Sequence, residues 1–215
     1  MRLIILSAGD SFELDGFNKL LINNPISGKT IIEQYQSIFE PSEITVVVGY
    51  KAMEVMNRYP NFNYIYNKKW QTTGSAYSLS LALNEEPSIV IESDFFIDEQ
   101  LKNEFASTDE FVVIKKSESK SLNSFKAVMK ENRITGVYSG KSKNNDPELL
   151  GVFKVSNIET LREWKKNGIQ NPHQYIGESF PYETAAIPFI EVRGKSITEI
   201  NTPTDFINFI KNDNE

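Results

Sequence analysis

The chain has 215 residues, of which 40% are hydrophobic and 24% charged, and its formal net charge is −6. This length suits one substantial domain, and the acidic balance argues against a general nucleic-acid binder. The absence of cysteine excludes disulfide bonds and thiolate metal sites. No apolar run approaches the roughly 18 residues that span a bilayer. We therefore expect a cytoplasmic protein without a membrane segment.

The first predicted strand leads into a loop suited to phosphate binding. The strand covers residues 3–6 and ends in the small residues Ser7, Ala8 and Gly9. A short apolar run bounded by glycine is typical of a buried parallel strand. Small residues let backbone N–H groups approach a ligand, and Lys19 would add a positive charge for phosphoryl oxygens. The alternative is an ordinary strand-to-loop turn followed by a surface lysine.

Strands and helices alternate through the first hundred residues. Hydrophobic periodicity predicts strands at residues 43–48, 62–66 and 88–92, and helices at residues 30–39, 51–59 and 75–83. Such alternation predicts a parallel sheet with helices on both faces.

The second half of the chain is predicted to contain mainly short strands. These lie at residues 110–114, 124–129, 133–138, 149–155 and 189–192, with helices at residues 157–166, 183–186 and 203–211. An Asn-, Gly- and Pro-rich stretch at residues 167–181 is interpreted as a mobile lid. No internal repeat is visible and no linker separates two folding units, so we expect a single domain with a small β insertion in its second half.

Two oxygen-bearing side chains follow predicted strands of the sheet. Asp94 comes directly after the strand at residues 88–92, and the carboxyl ends of parallel strands face a shared crevice. Its carboxylate suits Mg²⁺ that arrives on phosphates, and Asn201 could add an amide oxygen. The alternatives are a helix N-cap for Asp94 and a cap or turn residue for Asn201.

Other residue patterns are less specific. No GxGxxG follows the first strand, and residues 28–30 resemble the end of a P-loop whose first glycine is replaced by Asn23. His173, the only histidine, is interpreted as a surface residue because no GxSxG pattern supports a catalytic triad. Trp70 and Tyr182 stand in polar loops, where their rings could line a pocket for a cationic substrate.

Four segments, in order, resemble the motifs of the nucleotidyltransferase family that activates sugar phosphates and phosphocholine. They are Leu6-Ser7-Ala8-Gly9 with Asn18-Lys19, the loop and helix start at residues 66–79, Glu92-Ser93-Asp94, and residues 199–205. The family's counterparts are L-A-A-G with P-K, a Tyr-Asn loop before a small-residue helix start, a strand ending in Gly-Asp, and E-I-D-T-x-x-D. The second segment looks most like the phosphocholine cytidylyltransferase branch.

The resemblance implies a Rossmann-like three-layer α/β/α fold with a mostly parallel mixed sheet. Residues 1–106 would form the nucleotide-binding half and residues 107–215 the acceptor-binding half. The implied reaction is Mg²⁺-dependent transfer of a nucleoside monophosphate, and CTP with a small phosphomonoester or phosphonate is favoured. Pyrophosphate would be released, and the product would serve lipid, capsule or cell-surface decoration. No nucleic acid or membrane is an expected partner, and the protein would be a monomer or homodimer.

The resemblance also implies roles for individual residues. Those around the first loop and the start of the third helix would bind the nucleotide: Ser7, Ala8, Gly9, Asn67, Thr73, Gly74 and Ser75. Lys19 would neutralise the α-phosphate, Lys126 would meet the acceptor's phosphate, and Asp94 and Asn201 would hold Mg²⁺. Three residues would contact the acceptor: Trp70, Tyr182 and Glu183.

The sequence departs from the family pattern in the first loop. The arginine that the family places four residues after the loop glycine is Glu13 here, the proline before the lysine is Asn18, and the second loop glycine is Ser11. Lys29 or another cation would have to hold the triphosphate instead. Two alternatives to cytidylyltransfer follow: a uridylyl- or guanylyltransferase acting on a sugar 1-phosphate, and a non-catalytic relative that binds nucleotide.

Overall fold

The computed structural model describes residues 1–25, 27–116 and 124–212 of the chain. The strands are β1 (Arg2–Ser7), β2 (Glu43–Val48), β3 (Asn63–Tyr66), β4 (Ser88–Glu92), β5 (Phe95–Ile97), β6 (Phe111–Lys115), β7 (Phe125–Lys130), β8 (Arg133–Ser139), β9 (Glu148–Val155), β10 (Phe189–Val192) and β11 (Ile197–Glu199). The α-helices are α1 (Ile31–Phe39), α2 (Ala52–Arg58), α3 (Ser75–Ala82), α4 (Lys102–Ser107), α5 (Ile158–Gln170), α6 (Ile176–Ser179) and α7 (Pro203–Asn212). Short 3-10 helices lie at Phe12–Leu14, Lys19–Leu21 and Glu99–Leu101.

A mixed sheet runs through the centre of the protein in the order β10-β6-β9-β4-β1-β2-β3. The pairs β1–β2, β1–β4, β2–β3 and β6–β10 are parallel, whereas β9 lies antiparallel between β4 and β6. The hairpin β7–β8 extends from β9. The predicted α/β fold with a mostly parallel sheet is therefore confirmed.

The central strand β1 explains how the two core layers form. All six of its residues are buried. Because side chains alternate along a strand, Leu3 and Ile5 pack into the core layer that contains α1. Ile4 and Leu6 pack into the opposite layer, with residues of α3 and α5. A continuous apolar run is what a strand covered on both faces requires.

Residues 167–181 differ from their prediction as a mobile lid. Helix α5 continues to Gln170, and after a turn the chain forms α6. Ile176 and Phe180 are buried in the same core layer as Trp164 of α5. Asn, Gly and Pro therefore mark turns between packed elements here. Likewise, the predicted helix at residues 183–186 is a turn, in which Thr184 and Ala185 donate to the carbonyl of Pro181.

A two-stranded ribbon of β5 and β11 lies beside the main sheet and was not predicted. Phe95 pairs with Glu199 and Ile97 with Ile197 in an antiparallel register. The alternative that Asp94 begins a helix is therefore wrong, because a strand follows it. Within the described ranges of the chain, no helix is both long enough and apolar enough to cross a bilayer.

Candidate active site

A cleft of about 190 Å³ opens at the carboxyl ends of β1 and β4. Its lining residues come from the loop after β1, the loop before α3 and the end of β4. They include most of the residues predicted to bind nucleotide, namely Ser7, Ala8, Gly9, Thr73, Gly74 and Ser75, together with Lys19, Trp70 and Asp94. The carboxyl edge of an open α/β sheet is where such folds bind ligands.

The loop after β1 is held by polar contacts that set the position of Lys19. The Ser7 hydroxyl donates to Asn18 Oδ1 over 3.3 Å, and the same oxygen accepts from the Leu20 N–H at 3.1 Å. Asn18 thereby caps the 3-10 helix that begins at Lys19. Around Gly9 there is open space where a Cβ would stand. The loop thus leaves room for a ligand beside its backbone.

Lys19, Asp94 and Asn201 meet at one side of the cleft. The Lys19 ammonium donates to Asn201 Oδ1 over 2.7 Å and lies 3.5 Å from Asp94 Oδ2. The Lys19 and Asp94 side chains are only 13% and 19% exposed. Three segments that are distant in sequence therefore supply one cation and two oxygen groups to the same point.

The strand ribbon and the start of α7 fix the two oxygen-bearing residues. The Ile200 N–H donates to the Asp94 carbonyl over 2.8 Å, which joins the two segments through their backbones. The Asn201 and Thr202 N–H groups both donate to Asp205 Oδ2, and the Thr202 hydroxyl caps α7 by accepting from the Asp205 N–H. The Asn201 side-chain amide donates to Glu199 Oε1 over 2.6 Å.

Two further carboxylates crowd Asp94. Burial, with the Asp94 charge adding to it, raises the pKa of Glu92 to about 8, even though the hydroxyls of Tyr175 and Ser75 donate to it. Desolvation in the cleft, again with the Asp94 charge, raises the pKa of Glu199 to about 7, although the residue keeps an exposed surface. A cation bound beside them would favour the ionised form of both carboxyls.

The chemistry of these donors fits Mg²⁺. Asp94 Oδ1 is buried and has no hydrogen-bond partner in the described part of the chain. No group of three or more His, Cys, Asp or Glu side chains in the described ranges is arranged to hold a metal. Mg²⁺ typically takes one or two carboxylates and fills its remaining positions with water and phosphate oxygens. Asp94 and Asn201 therefore suit a metal that is carried by a nucleotide.

The loop before α3 is locked by the turn after α5. The Gly74 N–H donates to the Pro172 carbonyl over 2.7 Å, and the Ala76 N–H donates to the Gln174 carbonyl over 3.1 Å. The Ser75 hydroxyl accepts from the Ile176 N–H. These bonds consume donors that would otherwise be free at the start of the helix. The cleft wall on this side is thus fixed before any ligand arrives.

We expect Gly74→Ala to disturb this wall. A Cβ at Gly74 would stand 2.3 Å from the Gln174 carbonyl oxygen, a backbone atom that cannot move alone. The substitution should cost about 1 to 3 kcal/mol of stability. Thermal unfolding measures this effect. Gly136→Ala is the matched control, because nothing lies within 4 Å of its added Cβ. Equal melting temperatures for the two variants would contradict the expectation.

Asn67 lies behind the cleft and supports the loop. It is fully buried, and its side-chain amide donates to Thr73 Oγ1 and Ser78 Oγ over 3.1 Å and 3.0 Å. Its side-chain oxygen accepts from the Lys69 N–H over 2.9 Å. Asn67 therefore holds residues that line the cleft without lining it itself.

Lys126 is fully buried in the second half of the protein. Its side chain is 0% exposed, and its ammonium donates to Glu148 Oε1 over 2.7 Å and to Ser124 Oγ over 2.6 Å. Glu148 also accepts from the Ser124 hydroxyl. Lys126 and Glu148 are opposite residues of β7 and β9. The pair therefore ties the β7–β8 hairpin to the main sheet.

The three residues predicted to contact the acceptor lie in different places. Trp70 lines the cleft, and its ring centroid is 5.3 Å from that of Tyr50. Tyr182 packs against Phe180, and burial raises the pKa of its hydroxyl. Glu183 is exposed in the following turn. Tyr182 and Glu183 do not line the cleft that contains Trp70.

Tyr182→Phe should leave stability unchanged or raise it by up to about 1 kcal/mol. The Tyr182 hydroxyl is buried and has no hydrogen-bond partner among the described residues, so folding removes it from water without replacement. Tyr35→Phe is the contrasting variant, because the Tyr35 hydroxyl donates to the carbonyls of Phe95 and Glu92 over 2.8 Å and 3.1 Å. Chemical denaturation compares the two. A loss for Tyr182→Phe as large as that for Tyr35→Phe would contradict the expectation.

The structure brings no second cation to the cleft in place of the missing arginine. Glu13 is exposed, and Lys19 is the only cation among the described lining residues. Lys29 donates to Glu99 Oε1 over 2.8 Å and to Ser37 Oγ over 3.0 Å, away from the cleft. The proposal that Lys29 replaces the arginine therefore has no support from its position.

Glu92 and Glu199 are site residues that the sequence interpretation did not single out. A signal was present for Glu92, since it stands two residues before Asp94 at the end of a buried strand. Its hydroxyl partner Tyr175 comes from the start of α6, and Ser75 from the start of α3. No local pattern connects these residues, because only the folded chain brings them together.

Comparison with solved structures identifies the fold. The CTP:phosphocholine cytidylyltransferase of Streptococcus pneumoniae superposes with a TM-score of 0.75 at 20% identity, over 98% of this chain and 97% of that one. The inositol-1-phosphate CTP transferase of T. maritima gives 0.70 at 18% identity, over 98% and 94%. A nucleoside-diphosphate-sugar pyrophosphorylase of Vibrio cholerae gives 0.71 at 14% identity, over 98% and 100%. No family model and no curated protein sequence matches the chain. The chain therefore has the fold of the nucleotidyltransferases over nearly its whole length.

Proposed function

We propose that the protein is an Mg²⁺-dependent nucleotidyltransferase that transfers the cytidylyl group of CTP to a small phosphomonoester or phosphonate such as phosphocholine, with release of pyrophosphate. The observation that carries the proposal is the meeting of Lys19, Asp94 and Asn201 beside the cleft at the end of β1. Two of the similar solved structures have CTP in their names, which supports the choice of nucleotide.

The nucleotide would occupy the cleft at the carboxyl edge of the sheet. Ser7, Ala8 and Gly9 would face the nucleoside, and the open space at Gly9 supports a close approach of the ligand to the backbone. Thr73, Gly74 and Ser75 would face the base from the locked loop before α3, which Asn67 supports from behind. A rigid wall suits base recognition, because binding then costs little conformational entropy.

The reaction would need little proton transfer. A phosphomonoester is largely dianionic at neutral pH, so its oxygen can attack the α-phosphorus without a general base. The new bond joins that oxygen to the α-phosphorus. The bond between the α-phosphorus and the oxygen that bridges it to the β-phosphorus breaks, and pyrophosphate leaves with that oxygen. His173, the only histidine, is exposed in a turn, in keeping with this chemistry. Positioning and charge neutralisation would supply the rate.

Lys19 would neutralise the charge that develops on the α-phosphate. Its ammonium is already held in the cleft by contacts that a phosphate oxygen can replace. Asp94 and Asn201 would hold Mg²⁺, which when bound supplies further positive charge to the phosphate oxygens. Electrostatic interactions of fixed charges are stronger in a cleft that partly excludes water than they are in bulk water.

The second half of the chain, residues 107–215, would bind the acceptor, and residues 1–106 the nucleotide. The resemblance assigns Lys126 to the acceptor's phosphate, but its ammonium is fully buried against Glu148, so its position supports a structural role. Trp70, Tyr182 and Glu183 would contact the acceptor. The protein would act in the cytoplasm as a monomer or homodimer. Its product would enter lipid, capsule or cell-surface decoration.

The test is pyrophosphate release from CTP with Mg²⁺ and a panel of acceptors. The panel should contain phosphocholine, other small phosphomonoesters, phosphonates and sugar 1-phosphates, each assayed also with UTP, GTP and ATP. Turnover with CTP and a small phosphorylated acceptor supports the proposal. Turnover only with UTP or GTP and a sugar 1-phosphate would establish the alternative specificity. Nucleotide binding without pyrophosphate from any pair would make the protein a non-catalytic relative.

A further inference from the structure

The Lys19 ammonium occupies the space between the two oxygen groups that suit the metal. It lies 2.7 Å from Asn201 Oδ1 and 3.5 Å from Asp94 Oδ2. The contact with Asn201 has the length of a strong hydrogen bond. The lysine thus takes up oxygens that a cation would also need.

The Asn201 amide oxygen cannot turn away freely to serve the lysine and a metal separately. Glu199 Oε1 accepts a hydrogen bond from Asn201 Nδ2 over 2.6 Å. This bond orients the Asn201 amide so that its oxygen faces Lys19. The Asn201 backbone N–H is held by Asp205. The Ile200 N–H holds the Asp94 backbone carbonyl, and the Asp94 carboxylate presents Oδ2 to the lysine. Lysine and metal would therefore compete for the same pair of groups.

An ammonium and a divalent cation repel each other strongly at contact distance. Water screens this repulsion only weakly, because the Lys19 and Asp94 side chains are largely buried. A free ion must therefore displace Lys19 before it can bind. A bound triphosphate would change this competition, because its negative charges give the Lys19 ammonium a new partner. The Asn201 and Asp94 oxygens then become available to the metal.

We propose that Lys19 closes the metal site in the nucleotide-free protein, so that the site takes its metal together with the nucleotide, as a metal–nucleotide complex, and not as a free ion. This inference rests on the proposed function, since it assigns Lys19 to the nucleotide's phosphate when substrate is bound. Lys19 then has two successive partners: the Asn201 and Asp94 oxygens first, and the α-phosphate afterwards.

The test is the affinity of the nucleotide-free protein for Mn²⁺. The electron paramagnetic resonance signal of the free ion measures how much Mn²⁺ remains unbound. Lys19→Met should bind Mn²⁺ at least about tenfold more tightly than the wild type, because a repelling charge has gone. Lys29→Met is the matched control: its ammonium pairs with Glu99 outside the cleft, so its Mn²⁺ affinity should equal that of the wild type. An affinity of Lys19→Met no tighter than that of the wild type would overturn the inference.

Two further variants assign the effect to these oxygens. Lys19→Gln retains a polar tip without charge, and it should show the same gain if Lys19→Met does not fold. Lys19→Met/Asp94→Asn should lose the gain, and a double variant that keeps it would also overturn the inference. With CTP present and no acceptor, the wild type should bind Mn²⁺ at least as tightly as Lys19→Met. None of these measurements requires turnover, so a protein that releases no pyrophosphate still tests the inference.

Discussion

Lys19→Met should slow nucleotidyl transfer by about 10³- to 10⁵-fold while leaving the fold intact. The ammonium is the only cation among the described residues that line the cleft, so no neighbour can replace its charge at the α-phosphate. In phosphoryl transfer, one positioned cation is worth a factor of this size. Single-turnover rates of pyrophosphate release at saturating CTP measure the loss.

The fold should tolerate this change because the lysine is not part of either core layer. Circular dichroism and thermal unfolding serve as the check, and Lys29→Met is the control for removing one charge elsewhere. Near-normal single-turnover rates for Lys19→Met would remove the residue from the role proposed for it. A rate loss in Lys29→Met as large as that in Lys19→Met would have the same consequence, since it would show a general effect of net charge.

Glu148→Leu should cost about 3 to 5 kcal/mol of stability, because it leaves the Lys126 ammonium buried without its counter-charge. The Lys126 side chain is 0% exposed, and of its hydrogen-bond partners among the described residues only the Ser124 hydroxyl would remain. For a chain of this length, that loss corresponds to a fall in melting temperature of roughly 6 to 20 °C.

The matched double variant separates the buried charge from simple loss of packing. Lys126→Met/Glu148→Leu replaces both charges with apolar groups, and such exchanges are often neutral. We therefore expect the double variant to recover most of the stability that Glu148→Leu loses. Denaturant unfolding of the two variants and the wild type measures this coupling. Equal stability of the single and the double variant would contradict the explanation by a buried unpaired charge.

The first-half strands of the main sheet could be predicted from the sequence almost residue by residue. The predictions at residues 43–48 and 88–92 coincide with β2 and β4, and β1 exceeds its prediction by one residue at each end. These strands lie at the centre of the sheet, where a strand buried on both faces must be apolar throughout. In such segments, local composition and tertiary position favour the same structure.

The ribbon of β5 and β11 could not be predicted, because each strand has only three residues and finds its partner about a hundred positions away. The same limit applies to the site. The rule for sheet edges predicts that Lys19 and Asp94 approach each other, and the structure places them 3.5 Å apart. The orientation of the Asn201 amide by Glu199, and the saturation of Lys126 by Glu148, depend on contacts that no spacing rule contains.

The contact between Lys19 and Asn201 joins residues 182 positions apart. A nascent chain can therefore form β1, β2, β3 and β4 early, but it acquires this contact only after the ribbon strand β11 has been made. Loop closure over such a separation is an unfavourable, late event in folding. The ends of β1 and β4 can therefore lie side by side before Asn201 joins them. Proteolysis that removes β11 and α7 should leave a chain with the central strands and without the contact between Lys19 and Asn201.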